Sequence, residues 1–326
     1  MRCPDLSDLP APGPGLAGWP WTEESVRLPE GVGWPRITIV TPSFNQAVFL
    51  EETIRSVLLQ GYPDLEYLVL DGGSTDGSVE VIRKYERWLH HWESGPDGGQ
   101  SRAINRGLEL GSGTHATWIN SDDMLCQNAL REHAIHHGFD PGVVYVGVCK
   151  HIDGGGHTFQ THEGNVHSLN DLVRIRDVWR SGGYIDQPAV LFPLALARSA
   201  GGLNPSNHRT MDYELWGKFF VRGGRFVYSH VPFGIFRHHP DQKTFDMLEQ
   251  TRSLVEAAAS LIRSSGSFDT NAQAVLLDDL DLYHAQFRER HWRDSGRLAR
   301  LGLPVSVVGL LRKLKGIFRT PVETLR

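Results

Sequence analysis

The sequence predicts an α/β protein with a mostly parallel sheet and a helical C-terminal region, because strands, polar loops and helices alternate along its first part. The run Arg36-Ile37-Thr38-Ile39-Val40 is rich in β-branched residues and leads into the polar turn Thr41-Pro42-Ser43-Phe44-Asn45. We therefore expect a buried strand that delivers a loop. In residues 49–59 the apolar side chains recur at helical spacing, and Gly61-Tyr62-Pro63 ends this helix.

The same order of elements then recurs. Residues 66–70 predict a second strand, residues 71–77 its loop, and residues 78–88 a second helix. Residues 114–119 predict a third strand, which runs into Asn120-Ser121-Asp122-Asp123. Ligands of open α/β sheets bind beyond the carboxyl ends of the strands, so we expect the three polar loops to share one functional edge.

Three regions are expected along the chain: a flexible leader rich in proline and glycine at residues 1–35, an α/β domain at 36–245, and a helical region at 246–326. The first 20 residues lack the basic segment and apolar run of a secretory signal. No apolar stretch approaches the ~20 residues that span a bilayer. The sequence therefore predicts neither a signal peptide nor a transmembrane helix.

Composition narrows the classes of partner and compartment. The formal net charge of -5 supplies no basic field for a nucleic-acid backbone, so nucleic acid is not an expected partner. Cys3, Cys126 and Cys149 are odd in number and widely spaced, which fits neither a disulfide framework nor a structural zinc site. We expect a reducing, cytoplasmic setting.

Asp122 and Asp123 form a candidate site by residue type. Carboxylates at the tip of a buried strand are costly unless a charge compensates them, and a divalent cation is the usual compensation. A hard oxygen site of this kind would bridge Mg²⁺ or Mn²⁺ to a diphosphate. The alternative is structural, with Asp122 capping the following helix and Asp123 in solvent.

The three polar loops together resemble the family 2 glycosyltransferases. Their sequences are Thr-Pro-Ser-Phe-Asn, Asp-Gly-Gly-Ser-Thr-Asp-Gly and Asn-Ser-Asp-Asp, and the resemblance runs from about Arg36 to Lys243. It implies a GT-A type, Rossmann-like domain in an inverting enzyme that moves a sugar from a nucleotide-diphosphate-sugar donor to a hydroxyl acceptor. It further implies a glycan or lipid-linked acceptor, in surface polysaccharide or glycolipid biosynthesis.

The resemblance also implies a nucleotide-sugar site, in which Phe44 flanks the base and Asp71 hydrogen-bonds the nucleoside. The full set is Pro42, Phe44, Asn45, Asp71, Gly72, Gly73, Asp97, Arg102, Asn120, Ser121 and Lys243. Many relatives carry two adjacent acids where this chain has Asp71-Gly72, so the identity of the nucleotide stays open. Arg102 is the candidate partner of the diphosphate, although relatives often place that arginine where this chain has Ile104.

Metal ligands and a general base follow from the same resemblance. Asn120 stands where the first acid of an Asp-x-Asp motif is common and supplies no charge, so Asp122 is the expected principal ligand of Mg²⁺ or Mn²⁺. Asp123 and His239 are expected to assist it. Asp212 is the candidate general base, ahead of Glu214. The alternative for Asp212 is a helix-start carboxylate favoured by the helix dipole.

Two other functions were compatible with such a sheet. A nucleotidyltransferase would carry a Gly-rich loop with Arg and Lys after the first strand, and residues 41–46 have neither. A non-catalytic nucleotide-sugar or glycan-binding protein would have no need of both Asp122 and Asp212. Both alternatives are therefore ranked below a glycosyltransferase.

Two further patterns carry weaker hypotheses. His133, His136 and His137 lie at helical spacing, where an exposed polar helix is favoured over a transition-metal site. Residues 305–319 combine apolar side chains with Arg and Lys. They predict either a peripheral contact with the inner face of the plasma membrane or a helix packed on the catalytic domain.

Overall fold

The computed structural model describes residues 3–29, 32–240, 242 and 246–300. The chain divides into two compact units, Met1–His239 and Pro240–Arg326. The first unit contains the sheet, and the described part of the second unit is helical.

The sheet combines a parallel half with a mixed half. Its strands are β1 (Ile37–Ser43), β2 (Leu65–Asp71), β3 (His91–Ser94), β4 (His115–Trp118), β5 (Met124–Leu125), β6 (Val143–Ile152), β7 (Thr158–His162), β8 (Val190–Pro193) and β9 (Arg225–Arg237). They lie in the order β3-β2-β1-β4-β8-β6-β9-β5, and β7 pairs with β6. The strands β3, β2, β1 and β4 are mutually parallel, whereas β8 is antiparallel to both its neighbours and β6 and β9 pair in parallel. The α/β fold with a mostly parallel sheet is thus confirmed.

Helices flank the strands of the first unit and make up most of the described part of the second. They are α1 (Ala47–Leu58), α2 (Ser78–Tyr85), α3 (Gln100–Leu110), α4 (Ala129–His136), α5 (Leu169–Val173), α6 (Leu194–Ser199), α7 (Met211–Val221), α8 (Met247–Ser264) and α9 (Thr270–Arg300). Every residue of β1 and β2 is buried, because a parallel sheet is covered on both faces. On one face of β1, Ile37 and Ile39 belong to a core that also contains Leu50 and Ile54 of α1.

The N-terminal segment is not the flexible leader that its composition suggests. Its buried apolar side chains are Cys3, Leu9 and Leu28. Arg55 of α1 is fully buried and donates hydrogen bonds to three carbonyls of this segment. These carbonyl groups belong to Pro10, Pro20 and Trp21. A buried guanidinium requires such acceptors, and the carbonyls of Pro10, Pro20 and Trp21 lie outside the short 3-10 helix Leu6–Asp8 and are available to accept.

The position of His133 corrects the expectation of an exposed polar helix. Its side chain is 2% exposed and packs edge-on against Tyr145 and Phe139, with ring centroids 4.5 and 5.2 Å apart. Helix α4 is therefore not polar on every face, because the turn that carries His133 packs against aromatic side chains. His136 on the same helix is exposed and lies 3.3 Å from Glu132.

The second unit contains the packed helices α8 and α9, in agreement with the predicted helical region. Asp246 caps α8 by accepting a hydrogen bond from the backbone N–H of Glu249. Among the described residues, none of the helices combines the length and the apolar character needed to cross a bilayer. The basic segment at residues 305–319 lies outside the described residues.

Candidate active site

The first two polar loops meet at the carboxyl edge of the parallel strands. Ser43, at the end of β1, pairs with Asp71 at the end of β2, so the two loops leave the sheet side by side. The backbone N–H of Asn45 donates to Ser74 Oγ at 2.8 Å, and Asn45 Oδ1 accepts from the backbone N–H of Thr75 at 2.9 Å. Asn45 itself has a φ of 51°, which asparagine tolerates better than most residues. Through these two hydrogen bonds, Asn45 joins the first loop to the second.

Asp71 organises the second loop. Its buried carboxylate accepts from the backbone N–H groups of Gly73 at 3.1 Å and Ser74 at 2.9 Å. It also accepts from the hydroxyls of Ser74 at 2.5 Å and Ser94 at 2.7 Å. Gly73 has a φ of 88°, which glycine adopts without strain. The described contacts of Asp71 are thus made within the protein, and its contact with a nucleoside stays a prediction.

Asp97 lies against Gly72 of this loop. A Cβ on Gly72 would lie 3.1 Å from Asp97 Oδ2, a contact so tight that one of the two groups would have to shift. Asp97 Oδ1 accepts from the backbone N–H of Gly99 at 2.7 Å, just before α3 begins. The absence of a side chain at position 72 therefore leaves room for the carboxylate of Asp97.

The acidic turn after β4 brings Asp122 to His239. The Nε2 atom of His239 lies 2.9 Å from Asp122 Oδ2. The Asp122 side chain keeps 18% of its surface exposed, whereas His239 keeps 5%. Thr53 Oγ1 lies 2.7 Å from the carbonyl oxygen of Asp123 and 3.0 Å from that of Ser121, so α1 holds the turn in place.

Asp123 points away from solvent. It is 1% exposed, and its two oxygens accept from the backbone N–H of Arg237 at 3.0 Å and from Asn120 Nδ2 at 3.1 Å. Burial, followed by the neighbouring charge of Asp122, raises the pKa of Asp123 well above its usual range. Its carboxylate is committed to the structure of the turn.

Asn120 is the centre of an amide network. Its Oδ1 accepts from Gln100 Nε2 at 2.8 Å, and its Nδ2 lies 3.3 Å from Gln187 Oε1. Gln187 in turn donates to the carbonyl of Trp118 at 2.6 Å. An aspartate at position 120 has no N–H to donate to Asp123 and would set a further negative charge beside it. The network gives a physical reason for an amide at this position.

Asp212 lies in the first turn of α7 and is partly buried. Burial raises the pKa of Asp212 to about 6, and the charge of Asp186 acts in the same direction. Glu214 differs, because its carboxylate is held by Asn204 Nδ2 and Asn207 Nδ2 at 3.1 Å each and by Lys218 Nζ at 3.2 Å. Of the two acids, Asp212 has the environment of a proton acceptor.

The other residues predicted for the nucleotide-sugar site lie in different environments. Phe44 is 61% exposed in the first loop, and Pro42 is buried within β1 opposite Leu70. Arg102 is exposed in the first turn of α3. Its Cδ atom lies so near Gly98 that a Cβ at that position would be only 2.8 Å from it. Lys243 lies outside the described residues.

One cluster was missed from the sequence. Ligand atoms of Cys149, His151 and Asp186 lie within 4.8 Å of one another. Two of these residues share a face of β6, because they are two apart on a strand. Asp186 lies 35 positions after His151, so the sequence signal for this cluster was limited to the Cys-x-His alternation.

Sequence comparisons relate the chain to known proteins. A model of the family described as Glycosyl transferase family 2 matches residues 38–200. An uncharacterized glycosyltransferase of Rickettsia typhi is 27% identical over 66% of this chain and 68% of its own length. The GalNAc(5)-diNAcBac-PP-undecaprenol beta-1,3-glucosyltransferase of Campylobacter jejuni is 32% identical over 29% of this chain and 32% of its own.

Solved structures share the fold at low sequence identity. TarS 1-349 of S. aureus in complex with UDP-GlcNAc aligns with a TM-score of 0.57 and 16% identity, over 77% of this chain and 73% of that one. The mannosyltransferase PcManGT of Pyrobaculum calidifontis, in complex with GDP-Man and Mn²⁺, aligns with a TM-score of 0.53 and 17% identity, over 92% of each chain.

Proposed function

Because the chain belongs to the glycosyl transferase family 2, we propose that it is an inverting, metal-dependent enzyme that transfers a hexosyl group from a nucleotide-diphosphate-sugar. The acceptor is the hydroxyl of a glycan or of a lipid-linked saccharide. The undecaprenol in the name of the Campylobacter relative supports the lipid-linked class, and the UDP-GlcNAc and GDP-Man complexes of the structural relatives support the donor class. The process would be the assembly of a surface polysaccharide or glycolipid.

The observation that carries the proposal is the pair Asp122 and His239 beside the loops of the parallel strands. One carboxylate oxygen and one imidazole nitrogen lie 2.9 Å apart, and Asp122 retains exposed surface. This donor set suits Mn²⁺ or Mg²⁺ with a diphosphate completing the coordination. A divalent cation at these two residues would neutralise charge on the leaving diphosphate. Both oxygens of Asp123 accept hydrogen bonds within the protein, so we infer that it assists Asp122 mainly by positioning the turn.

Asp212 would act as the general base. The acceptor hydroxyl oxygen attacks the anomeric carbon as its proton passes to Asp212, and the bond to the nucleotide diphosphate breaks on the opposite face. A pKa of about 6 makes Asp212 a stronger base than an ordinary aspartate, yet leaves it ionised at neutral pH. The configuration at the anomeric carbon inverts because attack and departure occur on opposite faces.

Recognition of the nucleotide would rest on loops that are already joined to each other. Asp97 supplies a carboxylate next to Gly72. Phe44 offers an exposed ring that a base can cover. Asn45 and Asp71 hold both loops in position through their hydrogen bonds.

The test is a donor screen. Purified protein is incubated with a panel of UDP-, GDP-, CMP- and dTDP-sugars and Mn²⁺, and bound nucleotide and slow hydrolysis are followed by mass spectrometry. We expect one nucleotide class to bind and to be released from its sugar. Folded protein that binds no donor contradicts the proposal, and binding without any turnover favours a nucleotide-sugar-binding protein instead.

A further inference from the structure

A buried cluster of metal-binding residue types lies where β6 faces Asp186, the residue before Gln187. Cys149 and His151 come from β6 and are 0% and 5% exposed. The Asp186 side chain is 9% exposed. A thiol, an imidazole and a carboxylate thus face one another away from solvent. None of the three belongs to the donor site described above.

One ligand-to-ligand distance in the cluster matches tetrahedral coordination. His151 Nε2 lies 3.4 Å from Asp186 Oδ2. Two ligands about 2.1 Å from one tetrahedral ion are about 3.4 Å apart. Cys149 offers its sulfur within 4.8 Å of the other two ligand atoms, so a small adjustment of side chains closes the third contact.

The neighbours of the cluster hold its ligands in the orientation that metal sites require. His151 Nδ1 lies 2.9 Å from His238 Nε2, which leaves Nε2 directed at Asp186. Asp186 Oδ2 lies 2.5 Å from His162 Nδ1, and His162 stacks on Tyr184 with ring centroids 3.8 Å apart. Histidine and carboxylate ligands are normally fixed in this way by a second hydrogen bond.

We propose that Cys149, His151 and Asp186 form a binding site for a divalent transition metal, with Zn²⁺ as the best match. A thiolate and an imidazole favour zinc over magnesium, whereas Asp122 and His239 contain no sulfur. Ion binding releases the thiol proton of Cys149 and replaces it with a metal–sulfur bond. The ion would join β6 to the segment that carries Gln187 and so support the amide network around Asn120.

The competing interpretation is that protonated His162 alone neutralises Asp186. The hydrogen bonds of His151 and His162 lower the pKa of Asp186, while Asp186 raises the pKa of His162. A proton and a metal ion satisfy the same carboxylate, but only a metal ion also engages the sulfur of Cys149. The sulfur is therefore the atom that separates the two interpretations.

Cobalt titration tests the site through that atom. The full chain is freed of metal and titrated with Co²⁺, whose thiolate complexes show a sulfur-to-metal charge-transfer band in the near ultraviolet. We expect the band to saturate at one ion per chain and to be lost in Cys149→Ser. It should persist in Cys126→Ser, a matched buried cysteine, and in Asp122→Ala. Displacement by Zn²⁺ should abolish it.

Two results would overturn the proposal: no thiolate band in the wild-type protein, or a band that Cys149→Ser retains. If Cys149→Ser fails to fold, X-ray absorption at the zinc edge of the wild-type protein decides the question without a variant. One sulfur among the zinc ligands supports the site, and a shell of only nitrogen and oxygen refutes it.

Discussion

The imidazole Nε2 of His239 lies 2.9 Å from the carboxylate Oδ2 of Asp122, although 117 positions separate the two residues in the chain. They meet because β9 pairs antiparallel with β5, which follows the acidic turn. Arg237 reinforces the contact, since its Nε donates to the carbonyl of Asp122 at 3.1 Å. The ring of Phe49 packs 4.8 Å from the ring of His239. This side of the site is therefore assembled by the return of the chain.

Replacing His239 by alanine should weaken metal-dependent donor binding. The change removes the nitrogen that faces Asp122, so we expect the apparent affinity for Mn²⁺ in the presence of nucleotide to fall about 10-fold or more. Isothermal titration calorimetry measures this directly. His136→Ala, an exposed histidine on α4, is the matched control and should bind as the wild type does. An unchanged affinity in His239→Ala would remove His239 from the metal site.

Asp212→Asn should abolish transfer while donor binding is retained. Loss of a general base lowers kcat by about 10²- to 10⁴-fold, because the acceptor proton then has no partner. Glu214→Gln is the control, since the described contacts of Glu214 are with Asn204, Asn207 and Lys218, and it should keep most of the activity. Initial rates and donor titrations separate the two effects. Equal losses in both variants would argue against the assigned roles.

The rate of transfer should fall in mild acid. Asp212 accepts a proton only when ionised, and its pKa is raised to about 6, so kcat/KM should drop about tenfold per pH unit below that value and level off above it. Initial rates at saturating metal between about pH 5 and about pH 8 give the profile. A rate that stays constant down to about pH 5 would be inconsistent with Asp212 as the base.

Protonation of His133 should destabilise the fold in acid. Burial lowers the pKa of His133 from 6.5 to about 3, so the unfolded chain binds the additional proton in that interval and stability falls as the pH falls. Between about pH 7 and about pH 5, His133 should account for about 2 kcal/mol of lost unfolding free energy.

Urea denaturation at the two pH values measures the loss. His133→Gln should lose about 2 kcal/mol less than the wild type over this interval. His136→Gln, an exposed histidine three positions later, should keep the wild-type pH dependence. Identical pH dependence in the wild type and in His133→Gln would contradict the prediction.

Arg55→Met should release the N-terminal segment. The variant leaves three carbonyls of Pro10, Pro20 and Trp21 without their donor, and we expect a destabilisation of about 3 kcal/mol together with faster protease cleavage before residue 29. Denaturation curves and limited proteolysis are the measurements. Arg83→Met, an exposed change on α2, should alter neither. Protection equal to the wild type would mean that apolar packing alone holds the segment.

The order of elements and the position of the polar loops could be predicted from the sequence, because both depend on local patterns. The β-branched run that became β1 and the helical spacing that became α1 are each set by neighbouring residues. Turn residues such as those of the loop after Asp71 signal themselves in the same way. The family motifs then led to Asp122, Asp212 and His239 as candidates.

Only the tertiary structure decided what each of these side chains contacts. It directs Asp123 inward, ties Asn120 to Gln187, and surrounds Arg55 with carbonyls from the N-terminal segment. It also buries His133 against Tyr145 and brings Asp186 to Cys149. Hydrogen bonds and burial join residues that are distant in the chain, so no local pattern encodes them. They depend on which strands become neighbours, and that is settled only when the whole sheet has formed.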